Sequence, residues 1–270
     1  MKRIVFVNPP QQVEEIYGKL ANERSILPTL GICHLAAVTR EKGYETYIVD
    51  PIPFGWGIDK TIDEILKYSP DYIGITATTD VIYNAAKIVV KLKEYNKNII
   101  TIIGGPHITA VPENTLKLFP QIDIGVIGEG EDTIVDLLST LNNGSILDNV
   151  KGIIFRKNGE LLTTQPRPFI KDLDRLPLPA WDLLPRLDKY YRPSIINYKK
   201  LPSTSLITSR GCPGKCTFCD TKVFGAKYRG FSGPYVIRMI EYLENHYGIK
   251  DLVLYDESQA KDYMELSGKN

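Results

Sequence analysis

The first 140 residues alternate short apolar, β-branched runs with segments of helical periodicity. The runs Arg3–Asn8, Glu45–Asp50, Tyr72–Thr76, Ile99–Ile103 and Ile124–Ile127 each predict a strand. Between and after them, helical patterns cover Gly31–Lys42, Ile58–Tyr68, Val81–Tyr95, Glu113–Leu118 and Asp132–Leu141. Near-continuous apolar strands separated by helices imply a parallel sheet covered on both faces. Five such units predict an α/β, doubly wound domain of flavodoxin or Rossmann type over residues 1–142. Such a domain takes its ligand at the carboxyl ends of the strands.

Beyond residue 142 the pattern changes. Gly152–Arg156 and Glu160–Thr164 read as a hairpin turning at Lys-Asn-Gly. Prolines 166, 168, 177, 179 and 185 then keep the chain extended, because each fixes φ and removes an amide donor. Trp181, Leu183 and Leu184 in this stretch predict that it packs on a surface as an interdomain strap, so residues 143–201 read as hairpin and linker. From residue 202 a second βα pattern begins, with strand Ser205–Ser209, a cysteine-rich loop, helix Pro234–His246 and strand Asp251–Tyr255.

Composition narrows the function classes. Hydrophobic residues at 43% and charged residues at 24% exclude a mostly disordered chain. Thirty-three Lys+Arg against 32 Asp+Glu leave a net charge of +1, which argues against a dedicated nucleic-acid binder. No apolar run approaches the roughly 20 residues needed to span a bilayer. The opening MKRIVFVNPP lacks a small-residue cleavage site and reads as a first strand. Four cysteines are too few for a disulfide scaffold, and three of them fall between Cys212 and Cys219, which points to a metal site in a reducing, cytoplasmic compartment. Cys33 reads as a small buried helix residue.

The sharpest motif is Ser209–Asp220, SRGCPGKCTFCD, whose C-x3-C-x2-C triplet is Cys212, Cys216 and Cys219. Three thiolates on one loop can hold three corners of an iron–sulfur cubane, leaving the fourth iron open to a ligand. Zinc is the alternative, but a structural zinc site needs a fourth ligand, and the nearest histidine, His246, lies at the end of a predicted helix. Lys199, Lys200, Arg210, Lys215, Lys222, Lys227 and Arg229 surround the loop, with Tyr198, Phe224, Tyr228 and Phe231 interleaved. They read as a solvated rim, some of them offsetting a negative cluster; a zinc-stabilised, nucleic-acid-interacting surface is the alternative.

The triplet directly after a strand resembles the fingerprint of the radical S-adenosylmethionine (SAM) superfamily. The resemblance implies that Cys212, Cys216 and Cys219 hold a [4Fe–4S] cluster and that SAM chelates the unique iron and is reductively cleaved to a 5′-deoxyadenosyl radical. It implies an external electron donor of flavodoxin or ferredoxin type. Phe218 stands where relatives place an aromatic beside the adenine; a core aromatic is the alternative. Upstream, LPTLGICHLAAVTREKGYETYIVD, PDYIGITATT, IIGGPHIT and IGVIGEGEDTIVDLL resemble the cobalamin-binding domain fused ahead of many radical SAM enzymes, and DLDRLPLPAWDLLP resembles their linker. Candidate cobalamin contacts follow at the strand ends: Asn8 and Pro9, Leu30 and Gly31, Thr76, Thr78 and Thr79, then Gly104, Gly105, Pro106 and His107, and finally Gly128, Glu129 and Gly130. Glycines there let backbone amides approach a large ligand. Glu129 and Glu131 read as ligand hydrogen-bonders or helix caps, with acid–base groups as the alternative. The D-x-H-x-x-G loop of the methionine-synthase type is absent, which predicts a cobalt without a histidine below it.

By the same resemblance, residues 202–270 would be the start of an incomplete radical SAM (β/α) barrel, truncated or completed by self-association through its open edge. Asp256 and Glu257 would face the SAM side. The function implied is a cobalamin-dependent radical SAM enzyme acting on an unidentified small molecule, with methyl transfer to an unactivated centre leading. The alternative is a catalytically inactive cobalamin-binding module.

Overall fold

The computed structural model describes residues 1–11, 18 and 25–256. Five parallel strands form the expected sheet: β1 (Arg3–Val7), β2 (Glu45–Val49), β3 (Tyr72–Thr76), β4 (Ile100–Gly104) and β5 (Ile124–Val126). Their spatial order is β2-β1-β3-β4-β5, so the winding reverses between β1 and β3. The helices are α1 (Leu30–Glu41), α2 (Ile58–Leu66), α3 (Ile82–Tyr95), α4 (Pro106–Ala110), α5 (Pro112–Leu118) and α6 (Glu131–Asn142). The single helix expected near Glu113–Leu118 is thus preceded by a short turn of helix, α4. Pro112 separates the two because it cannot continue the first as a hydrogen-bond donor.

Strand residues alternate between two apolar layers, as period-two side chains must. Ile4 and Phe6 pack with α1 and α6 on one face, while Val5 and Val7 pack with α2, α3 and α5 on the other. The predicted hairpin forms as β6 (Ile153–Lys157) and β7 (Glu160–Thr163), turning at Asn158 and Gly159, both at positive φ. It continues the main sheet, since β6 pairs antiparallel with β5.

The proline-rich strap is extended between short helical turns and lies on the α1 face. Leu173, Leu176, Ala180, Trp181 and Leu184 are buried there, and the Ala180 amide donates to the Cys33 carbonyl at 3.0 Å. After α7 (Leu187–Tyr190), strand β8 (Ser203–Leu206) pairs in parallel with β11 (Asp251–Leu254), joined by helix α8 (Gly233–Tyr247). The strand expected over Ser205–Ser209 ends earlier. Asp256 Oδ1 accepts the Thr208 and Ser209 amides at 2.6 and 2.9 Å, which takes those donors away from a strand ladder. A two-residue ladder, β9 (Ser209–Arg210) with β10 (Arg229–Gly230), then closes the root of the cysteine loop. Among the described residues, no helix is long and apolar enough to cross a membrane.

Candidate functional site: a cleft shared by the strand ends and the cysteine loop

In an open α/β sheet, diverging loops leave a crevice at the carboxyl edge where the winding reverses. Here a cleft of about 880 Å³, its open mouth included, occupies that place. Phe6 of β1, Gly74–Thr76 of β3, Ile102 and Gly104 of β4 and Val126 of β5 form its sheet wall. Gly31, Ile32, His34 and Leu35 of α1 and Ile134 of α6 form the helix wall. Ile207, Arg210, Val223 and Phe224, from the cysteine-loop region, close the far side.

Of the predicted corrinoid contacts, Gly31, Thr76, Gly104, Gly105, Gly128, Glu129 and Gly130 line this cleft. Asn8, Pro9, Leu30, Thr78, Thr79, Pro106 and His107 are not among its lining residues. Asn8 donates to Asp50 Oδ1 at 3.1 Å, Thr78 binds Asp80, and the Thr79 hydroxyl meets His107 Nδ1 at 3.0 Å. Burial holds His107 below the ordinary histidine range, which favours a neutral loop hydrogen-bonder. The glycine cradle is sterically required at Gly105, which sits at φ +97° and whose Cβ would come within 2.7 Å of Thr76 Oγ1 and 3.0 Å of the Ala77 amide. A Cβ on Gly130 would meet only the end of the Leu35 side chain, Cδ2 at 2.9 Å, which can move aside. Narrow apolar walls, bare backbone at the rim and a buried histidine nitrogen without a partner fit a large amphipathic ligand such as a corrinoid.

A buried ion-pair network ties this cleft to the cysteine loop. Arg210 Nη2 donates to Glu131 Oε1 at 2.6 Å and its Nη1 to Glu129 Oε1 at 3.2 Å. Arg229 Nη1 reaches Glu129 Oε1 at 2.8 Å and the Ile170 carbonyl at 2.6 Å, and Glu129 Oε2 accepts the Ile170 amide at 2.8 Å. The side chains of Arg210, Glu129 and Glu131 are at most 5% exposed. Burial alone would lift the Glu131 carboxyl, but the Arg210 charge and hydrogen bond outweigh it and hold it below the usual carboxylate range. Arg210 is likewise desolvated, yet its two glutamates raise it. Glu129 and Glu131 therefore take arginine partners, and Arg210 and Arg229 do not belong to a solvated rim. Sequence reasoning singled out all four residues without joining them, because each pair is 79 or more positions apart.

The loop itself runs from Gly211 to Tyr228. Gly211 has φ +83°, and a Cβ there would lie 2.2 Å from the Lys227 carbonyl oxygen, so only glycine lets the two loop arms approach. The Cys212 amide donates to Gly225 O at 3.2 Å and the Cys219 amide to Cys216 O at 3.2 Å. All three thiols are free, with Cys216 and Cys219 exposed and Cys212 half-buried. Cys212 and Cys216 both border Gly214, whose Cβ would lie 3.3 and 3.8 Å from their sulfurs. Among the described residues, no group of three His, Cys, Asp or Glu side chains is gathered closely enough to hold a metal. The donor chemistry, three soft thiolates on one loop, suits an iron–sulfur cluster.

Phe218 is 91% exposed, which corrects the reading of it as a core aromatic. His246, the nearest candidate for a fourth zinc ligand, stacks on Tyr242 at 4.0 Å and bonds the Tyr242 carbonyl at the end of α8. Asp256 Oδ2 also accepts the Thr208 hydroxyl at 2.5 Å, so both of its oxygens are engaged in shaping the start of the cysteine loop. Glu257 lies outside the described residues. Cys33 is fully buried, as expected, and burial pushes its thiol well above the ordinary range.

Comparison with known proteins accords with this geometry. Residues 20–138 match the family described as B12 binding domain. An uncharacterized methyltransferase of Pyrococcus horikoshii is 35% identical over 259 residues, covering 95% of this chain and 53% of that protein. The anaerobic magnesium-protoporphyrin IX monomethyl ester cyclase of Rubrivivax gelatinosus is 32% identical over 262 residues, covering 94% and 45%. The chain thus spans about half the length of these curated relatives. Among solved structures, the cobalamin-dependent S-adenosylmethionine radical enzyme OxsB, with aqua-cobalamin and S-adenosylmethionine bound, superposes with a TM-score of 0.77. It is 23% identical, and the match covers 96% of this chain and 34% of that one. That likeness is one of fold.

Proposed function

We propose that this chain is one of the cobalamin-binding radical SAM proteins and holds a corrinoid in the shared cleft and a [4Fe–4S] cluster on Cys212, Cys216 and Cys219. In this reading it serves methyl transfer from the corrinoid to an unactivated centre of a small molecule. The observation that carries it is that one cleft is walled both by the glycine-rich strand ends and by Ile207, Arg210, Val223 and Phe224 of the cysteine-loop region. When bound, the cluster would supply the electron that cleaves SAM, and the corrinoid the methyl group.

The chain's own residues do the positioning. Gly104, Gly105 and Gly128 present backbone without side-chain bulk to the ligand. Apolar side chains from Phe6 to Ile134 exclude water from the inner wall. Arg210 and Arg229, held by Glu129 and Glu131, fix the root of the cysteine loop against that wall. Asp256 acts through the Thr208 and Ser209 amides to set the approach to Cys212, while exposed Phe218 is available to stack on an adenine. The likeness to the Rubrivivax cyclase favours a second reading, radical ring closure in place of methylation.

Anaerobic reconstitution with iron, sulfide and hydroxocobalamin tests the proposal. The expected result is one cobalamin and close to four iron atoms per chain. Replacing Cys212, Cys216 and Cys219 by alanine should abolish iron uptake and leave cobalamin bound. Zinc retained in place of iron, or no corrinoid, would refute it.

A further inference from the structure

The segment joining α7 to β8 carries a turn whose two corner positions are isoleucines. The Asn197 amide donates to the Ser194 carbonyl at 2.8 Å, so Ile195 and Ile196 stand at the tip. They are 66% and 87% exposed, and among the large apolar side chains of the described residues only Phe218 is more exposed than Ile196. Turn corners ordinarily take Gly, Pro, Asn, Asp or Ser, which suit the backbone without showing apolar surface to water. Two adjacent β-branched side chains at such a tip bury nothing within the chain. A local rule broken without a gain in the fold marks a functional position. The collar of the turn is basic. Lys199 and Lys200 follow it and are exposed, and the Lys199 amide donates to Asp251 Oδ2 at 2.9 Å. The amide of exposed Lys250 donates to the Pro202 carbonyl at 2.8 Å, which brings that lysine to the same end of β8. Cations elsewhere on the surface are matched, as in Lys2–Asp71, Arg40–Asp182 and Lys157–Asp148. The side chains of Lys199, Lys200 and Lys250 have no ion-pair partner among the described residues.

We propose that this turn docks the protein on an anionic lipid surface, with Ile195 and Ile196 entering the boundary between headgroups and acyl chains and Lys199, Lys200 and Lys250 meeting the lipid phosphates. An apolar tip above a basic collar matches the depth profile of such a bilayer, which is negative at its surface and apolar just beneath. A second copy of the chain is a poorer occupant, because a symmetric contact through the tip would set the two lysine collars against each other. Backbone bonds hold the root of the segment: the Ile26 and Arg192 amides each donate to the other's carbonyl at 2.8 Å. The tip is therefore presented from a fixed base. β8 begins beside this turn and runs towards the cysteine loop, so docking leaves that loop at the far end of the strand. Two inserted side chains and a few lysines give reversible attachment, in contrast to a membrane-spanning helix.

Sedimentation of the purified chain with vesicles tests this, using phosphatidylcholine alone and phosphatidylcholine with about one third phosphatidylglycerol. Binding is expected to the anionic vesicles only, and to weaken as salt screens the lysines. The double variant Ile195→Ser with Ile196→Ser should bind at least about tenfold more weakly. Lys199→Gln with Lys200→Gln should lose about thirtyfold, on the usual scale for two lysines at a charged bilayer. Ile196→Trp should keep the affinity and shift its indole emission to the blue when anionic vesicles are added, which reports entry into the apolar layer directly. All of these variants should unfold in urea at the parent's midpoint, since the replaced side chains are exposed. Failure of the parent to bind anionic vesicles, or binding that survives the double isoleucine variant unchanged, would overturn the proposal. So would self-association in lipid-free solution that Ile195→Ser with Ile196→Ser abolishes, because the tip would then belong to a contact between copies.

Discussion

Arg210 is where the two halves of the site are joined, and its removal has a calculable consequence. Replacing it with methionine deletes the 2.6 Å bond to Glu131 and the 3.2 Å bond to Glu129 but keeps most of the side-chain volume. Glu129 retains Arg229 at 2.8 Å, whereas Glu131, only 5% exposed, is left with a buried charge and no cation. Breaking one partner of a buried pair in this way costs about 3–5 kcal/mol. The double variant Arg210→Met with Glu131→Leu removes both charges together, and apolar replacement of a buried pair is often neutral or stabilising by about 1–4 kcal/mol. Urea unfolding of the parent, the two single variants and the double variant gives the cycle directly. The expected pattern is a large loss for Arg210→Met that Glu131→Leu recovers. Additive losses, or a cost below about 1 kcal/mol for Arg210→Met, would show that the pair does not hold the loop root.

Two further outcomes follow from the same geometry. Gly211→Ala, at φ +83° and against the Lys227 carbonyl, should cost at least about 1 kcal/mol from backbone conformation alone; faster hydrogen exchange at the Cys212 amide and reduced iron uptake would register it. Stability should fall as pH drops from 6.5 towards 4. His34 is lowered from 6.5 to about 4, so the unfolded chain binds its proton first across that window, a loss of about 3 kcal/mol. Glu131, held below 4.5, adds to the loss at the acid end, where the raised carboxyl of Asp50 partly offsets it. Denaturation midpoints of the parent and His34→Phe between pH 4 and 8 should diverge towards the acid end, where only the parent carries the His34 loss, and a flat profile in the parent would refute the assignment.

The five parallel strands were legible in the sequence because their apolar runs are short, β-branched and separated by clear helical periods. The hairpin was legible from Asn158-Gly159, where two successive positive φ values leave few other residues possible. Its role as an extension of the sheet was not, since the edge to which a hairpin adds is decided by tertiary packing. The Arg210–Glu131 and Arg229–Glu129 pairs were hidden for a related reason. Charge pairing has no period, and a basic residue beside a cysteine loop looks the same in sequence whether it faces water or a buried carboxylate. Asp256 could be placed near the loop from its position after the last strand. That both of its oxygens would be engaged by Thr208 and Ser209 could not.

The central claim is that the cysteine loop opposite the corrinoid cleft carries a cluster with an iron open to SAM. Electron paramagnetic resonance of anaerobically reconstituted, dithionite-reduced protein, recorded with and without SAM, tests it most directly. The account predicts a reduced [4Fe–4S] signal that shifts when SAM is added and disappears in the variant lacking Cys212, Cys216 and Cys219. Absence of the cluster signal, or a signal unmoved by SAM, would contradict it.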